Sequence, residues 1–218
     1  MAEAFKFQEC VPIVKLTGRN ASDIVEFVEI LKSVSIGSIF YHMHQYFLKP
    51  HIVAPDYPND FALWAASALE DKVLAEKFAN LNPYEFSKIE DVRAELIRIV
   101  DAHLMECSAP RPVIRGKEFF FNEAVTIVIP TGLTASNLEE FRDALQKVDR
   151  SSLYFHFYEA RLRLENEFDD FSRFFSDCPE LGCLKLAEKI KRLDPYMYST
   201  DVLREKLLFI LERELQRK

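Results

Sequence analysis

Residues 5–34 read FKFQECVPIVKLTGRNASDIVEFVEILKSV, and residues 119–148 read FFFNEAVTIVIPTGLTASNLEEFRDALQKV. The second stretch follows the first by 114 positions without a gap. Phe5, Phe7, Glu9, Val11 and Ile13 correspond to Phe119, Phe121, Glu123, Val125 and Ile127. Thr17 and Gly18 return as Thr131 and Gly132, and Ser38 and His42 as Ser152 and His156. Farther on, Asn59-Asp60-Phe61 answers to Asp169-Asp170-Phe171, LAEKFANLNPYEF to LAEKIKRLDPYMY, and Arg93 to Arg204. The chain reads as a tandem duplication, with a first repeat over 1–109 and a second over 110–218.

Each copy begins with apolar residues at alternate positions, Phe5 to Val14 and Phe119 to Ile129, which predicts a half-buried strand ended by Thr-Gly. About four helices follow. The first covers Asp23 to Lys32 and its copy, with Ser136 and Glu139 as an expected capping box. The next, SIFYHMHQYFL, is strongly apolar and stops at Pro50. Another starts near Asn59 or Asp60, then comes VLAEKFANL, and the last runs from about Ser87, boxed with Glu90, to Leu104. A single strand per copy leaves unpaired edges. The two strands are therefore expected to pair with each other across a pseudo-two-fold axis, giving one compact, mostly helical α+β body, the alternative being two separate lobes with each strand paired elsewhere.

The composition bounds the function. The chain has 218 residues, 49% hydrophobic and 29% charged, with nineteen Phe. A chain this long buries about 70% of its unfolded surface. The net charge of -7 and pI near 5.4 argue against nucleic-acid binding. Arg111, Arg115 and Lys117 lie together in the linker ECSAPRPVIRGK and read as a solvated connector. No apolar run approaches the roughly 20 residues that cross a bilayer. The start MAEAFKFQE lacks a secretory pattern, so a cytoplasmic protein is expected. Cys10, Cys107, Cys178 and Cys183 have neither zinc nor redox spacing, and free thiols are expected.

The candidate site residues recur in both copies. Ser38-x-x-x-His42 and Ser152-x-x-x-His156 put serine and histidine on one helical face, continued by Gln45 and Lys49 or Glu159 and Arg163. Glu9 and Glu123 fall on the phenylalanine face of the strand, where a carboxylate needs a partner. Arg93, Arg204 and the histidines are the expected partners, and Asp60 and Asp170 form a third pair. Three readings stand open: a satisfied buried network, a cleft for a small polar or anionic ligand, or a metal or acid–base site. The proline-rich KPHIVAPDYPND exists in full only in the first copy, and its His51, Asp56 and Tyr57, with Trp64 beyond, suggest a longer connector or a gripping loop. No dinucleotide fingerprint, phosphate loop or nucleophile elbow is present.

GSIFYHMHQYFLKP, PNDFALWAASAL and LNPYEFSKIEDVRAELI, with SSLYFHFYEA, DDFSRFF and LDPYMYSTDVLREKL, resemble a bacterial and archaeal family known only as a domain of unknown function. The shared pattern is Ser-x-[Phe/Tyr]-[Tyr/Phe]-His, then [Asn/Asp]-Asp-Phe, then [Asn/Asp]-Pro. The resemblance implies a cytoplasmic protein without an assigned reaction and supplies no catalytic residues. The expected function is a non-enzymatic accessory or regulatory module, monomeric or homodimeric. It would bind a small ligand or a protein, without cofactor, nucleic acid or membrane. The alternative is a small metal-dependent or acid–base enzyme built on His42, Asp60, Glu9 and their counterparts.

Overall fold

The computed structural model describes residues 3–45, 56–106, 111–160, 168–177 and 184–217. Ten α-helices and one two-stranded antiparallel sheet form the described architecture. Strand β1 (Phe5–Ala21) leads into α1 (Ile24–Leu31), α2 (Ile36–His44), α3 (Asp60–Ser67), α4 (Lys72–Ala79) and α5 (Ile89–Glu106). Strand β2 (Phe119–Ala135) leads into α6 (Leu138–Lys147), α7 (Arg150–Leu153), α8 (Asp170–Asp177), α9 (Leu184–Lys191) and α10 (Thr200–Leu215). Helix α7 runs on as a π-helix over Tyr154–Glu159. No helix among the described residues is long and apolar enough to cross a membrane.

The compact units do not coincide with the sequence repeats. A contiguous unit comprises Ile13–Val125, and a split unit comprises Met1–Pro12 with Thr126–Lys218. Each strand is thereby divided: the start of β1 belongs with the helices of the second repeat, and the start of β2 with those of the first. Aromatic packing shows why. In the contiguous unit Phe119 and Phe121 lie 5.2 and 5.3 Å from Phe27 of α1, which also stacks on Trp64 at 5.1 Å. In the split unit Phe5 and Phe7 lie 5.2 and 5.0 Å from Phe141 of α6. Such pairs bury large apolar area and add a geometric preference of their own.

The expected row of buried odd positions ends early. Phe5, Phe7, Phe119 and Phe121 are buried, but Val11, Ile13, Val125 and Ile127 are 49, 51, 48 and 46% exposed. Alternation reports which side a residue takes, not how far along the strand a covering layer extends. The strands also run past Thr-Gly to Ala21 and Ala135. Gly18 and Gly132 adopt φ of 77° and 76° inside them, a local bulge rather than an end. Thr131 donates its hydroxyl to the Phe7 carbonyl at 2.7 Å and accepts the Leu133 amide at 3.1 Å. Thr17 does the same with the Phe121 carbonyl and the Arg19 amide.

Helix starts follow the expected chemistry with shifts of a residue. Asn137, not Ser136, caps α6, accepting the Glu140 amide at 2.9 Å, while Glu140 returns to the Ser136 amide at 2.8 Å. Asn59 caps α3. Glu90 pairs with Arg93 at 2.9 Å rather than boxing with Ser87. Cys10 is buried, its thiol donating to the Ser151 carbonyl at 3.6 Å. Cys107, Cys178, Cys183, Lys49, His51 and Arg163 lie outside the described residues.

Candidate functional site

Each unit assembles one set of the residues singled out in the sequence. The contiguous unit holds Ser38, His42, Asp60, Arg93 and Glu123. The split unit holds Glu9, Ser152, His156, Asp170 and Arg204. The glutamate of each set arrives on the strand of the other repeat.

The histidines are the best-defined members. His42 on α2 is 3% exposed. Its Nδ1 lies 2.7 Å from Asp60 Oδ2, and its Nε2 accepts the Asn122 backbone amide at 2.9 Å. An amide can only donate, so Nε2 is unprotonated and Nδ1 carries the proton toward the carboxylate. His156 repeats this, with Asp170 at 2.7 Å on Nδ1 and the Gln8 amide at 2.9 Å on Nε2. Both nitrogens of each ring are thus engaged: one holds the aspartate, the other tethers the strand. Asp60, first residue of α3, also receives the Gln45 side-chain amide. Burial and the Asp60 charge together push the Tyr41 hydroxyl above its ordinary range.

The other expected partnerships differ. Arg93 does not meet Glu9 or Glu123. It donates at 2.7 Å to the carbonyls of both Leu31 and Val34, closing the C-terminal end of α1. That end carries unsatisfied carbonyls and partial negative charge, which a guanidinium suits. The Arg204 Nε is buried without a hydrogen-bond partner among the described residues. Ser38 and Ser152 are fully buried, and their hydroxyls have no partner there, so the serine–histidine stripe is not a hydrogen-bonded chain.

Glu123 enters a different group, one the sequence reading missed. It is 22% exposed, accepts the Ser35 hydroxyl at 2.5 Å, and lies 3.5 Å from Lys15 Nζ. Ser35 caps α2, accepting the Ser38 amide at 3.2 Å. A cavity of about 290 Å3 opens here, lined by Lys15, Thr17, Arg19, Ser33, Ser35 and Glu123. Arg19 donates to Ser33 Oγ at 2.8 Å. Lys15 and Thr17 alternate along β1 and so share a face, and Arg19, beyond the bulge at Gly18, lines the same cavity. The signal was available as a difference between copies: Lys15 and Arg19 correspond to Ile129 and Leu133. Among the described residues no group of three or more His, Cys, Asp or Glu is arranged to hold a metal ion.

Asp169 caps α8 from a fully buried position, accepting the Ser172 amide at 2.8 Å and its hydroxyl at 2.6 Å. Burial raises its carboxyl to about 6, against the lowering effect of the Ser172 hydrogen bonds.

Comparison with known proteins agrees with this architecture. A model of a family of unknown function (DUF5752) matches residues 2–212. The structure of OrfY from Thermoproteus tenax is similar at 31% identity and a TM-score of 0.84, over 97% of this chain and 95% of that one. No curated protein matches.

Proposed function

The chain belongs to that family of unknown function, and on this premise we propose that it is a non-enzymatic, cytoplasmic accessory module that binds a small anion in the contiguous unit. The observation that carries the reading is the pairing of Lys15 and Arg19 around a cavity of about 290 Å3 rimmed by the hydroxyls of Thr17, Ser33 and Ser35. Two cations are the chemistry that holds a carboxylate, phosphate or sulfate, the hydroxyl protons of Thr17, Ser33 and Ser35 going to Phe121, Ile30 and Glu123. Glu123 is the resident carboxylate of the group. It orients Lys15 and Ser35 and leaves one net positive charge for a ligand. The split unit carries Ile129 and Leu133 at the corresponding positions, so the two copies have diverged into a binding unit and a scaffold unit.

The same reading gives the histidines a structural role. A general base needs a nitrogen open to its substrate, and a metal ligand needs a lone pair. In His42 and His156 both are taken up by the strand amide and the aspartate. We further infer that the two repeats descend from one duplicated ancestor. The test is thermal unfolding of the full chain with inorganic phosphate or sulfate against chloride at equal ionic strength. Stabilisation by the former, abolished in Lys15→Ala/Arg19→Ala, is expected. Equal response of wild type and variant would sink the reading.

A further inference from the structure

A second cavity, of about 490 Å3, lies in the contiguous unit away from the anion group. Its size falls within the roughly 300–1,000 Å3 of small-molecule sites. Ile24, Leu69, Leu74 and Leu104 supply an apolar lining. Part of the wall is a fixed polar pair: His103 Nε2 lies 2.7 Å from Asp71 Oδ2, and Asp71 Oδ1 accepts the Leu74 amide at 2.8 Å as the cap of α4. Because Asp71 is committed on both oxygens, it holds the wall in place and is not an available charge.

Three further charges line the same cavity: Glu70, Lys72 and Arg111. None forms an ion pair or side-chain hydrogen bond among the described residues. Glu70 is also the only non-glycine described residue with positive φ, at 56°. A side chain in the left-handed region costs about 1–2 kcal/mol relative to glycine. The left-handed turn at Glu70 ends α3, with the Asp71 amide closing back on the Ala65 carbonyl at 2.9 Å, and so places Glu70 and Lys72 on the cavity wall. Arg111 comes from the linker that sequence reading treated as a solvated connector. Val113 ties that linker to the start of α1, donating its amide to the Ser22 carbonyl at 2.7 Å.

We propose that this cavity binds a small carboxylate with an apolar body. The carboxylate pairs with Arg111 and Lys72, the hydrocarbon covers the leucine and isoleucine lining, and Glu70 accepts an ammonium where the ligand has one. Two unmatched cations against one carboxylate set the preference for an anionic head group. A planar guanidinium grips a carboxylate through two parallel bonds. The proposal is independent of the anion group at Lys15 and Arg19.

Calorimetric titration of the full chain with 4-methylpentanoate and with L-leucine tests it. Both have the same hydrocarbon and carboxylate, and only the second has an ammonium. Binding of at least one is expected, weakened about tenfold or more in Arg111→Ala. Glu70→Gln is expected to weaken leucine and spare 4-methylpentanoate. Circular dichroism of both variants confirms that they fold. Absence of heat for both compounds at millimolar concentration would overturn the site, as would unchanged affinity in folded Arg111→Ala. Equal effects of Glu70→Gln on both ligands would overturn the role of Glu70.

Discussion

The imidazole of His42 bridges a strand amide and a helix-borne carboxylate, and the imidazole of His156 does the same in the other unit. Deleting the ring leaves an amide and a carboxylate without that partner, each worth about 1–3 kcal/mol where buried. His42→Ala and His156→Ala should each lower stability by about 3 kcal/mol in urea unfolding, with unchanged response to phosphate. Loss of phosphate response in a folded variant would return the histidines to the binding site. Asp169 offers a test of opposite sign. Its folded value, about 6, exceeds its ordinary 3.8, so the folded state holds the proton more tightly. This contribution is fully present below about pH 4 and is lost as pH rises through 6. The ionised, buried carboxylate then costs up to about 3 kcal/mol at neutral pH. The contiguous unit uses Asn59 at the same place, capping the Ala62 amide at 2.9 Å and donating to the Phe78 carbonyl at 3.0 Å. Asp169→Asn should therefore raise neutral-pH stability by about 2 kcal/mol and flatten the stability profile between pH 4 and 6. A profile that stays steep would place the responsible group elsewhere. The histidines were legible in the sequence because a polar residue recurred on an otherwise apolar helix. Their partners were half legible: Asp60 was marked, whereas the amides of Asn122 and Gln8 carry no residue signature at all.

At the level of elements, the bulge in each strand is the feature most exposed to test. A Cβ at Gly18 or Gly132 would meet nothing within 4 Å, so only the backbone conformation resists substitution. Gly18→Ala and Gly132→Ala should each cost about 1–2 kcal/mol. Gly37 is the control: it sits in α2, and a Cβ there would reach Glu123 Cγ at an ordinary 3.5 Å. Gly37→Ala should gain about 0.5–1 kcal/mol from helix propensity. Denaturant midpoints of the three variants would reveal whether conformation or contact governs these positions. Thr-Gly looked like a strand end because glycine with positive φ is the common mark of a turn. What continues the strand is the threonine hydroxyl, which bonds across to Phe121 or Phe7, and such a bond is invisible without the facing strand.

For the whole molecule, the decisive fact is that strand starts and helices are traded between repeats. A fragment spanning 1–109 lacks Phe119 and Phe121, two buried rings against Phe27. Losing a buried phenylalanine costs about 3–5 kcal/mol, and two such losses rival the 5–15 kcal/mol stability of an ordinary domain. The fragment 13–125 keeps both. It should unfold cooperatively on heating, whereas 1–109 should not, as followed by circular dichroism. Similar melting of the two would show that the exchange contributes little. The pairing of the two strands was legible, because a lone strand has no other neighbour. The exchange was not, because Phe27 and Phe141 offer near-identical surroundings. Local chemistry could not say which of the two receives Phe5.

The division of β1 also bears on how the protein is made. Phe5 and Phe7 leave the ribosome well before the rings they pack against, Phe141 and Phe171, which come more than a hundred residues later. At bacterial translation speeds that interval is on the order of 10–30 s. During it the contiguous unit can close as soon as Val125 has emerged, while the amino-terminal segment stays greasy and uncovered. Nascent-chain folding should then begin in the contiguous unit, with the start of β1 docking afterwards.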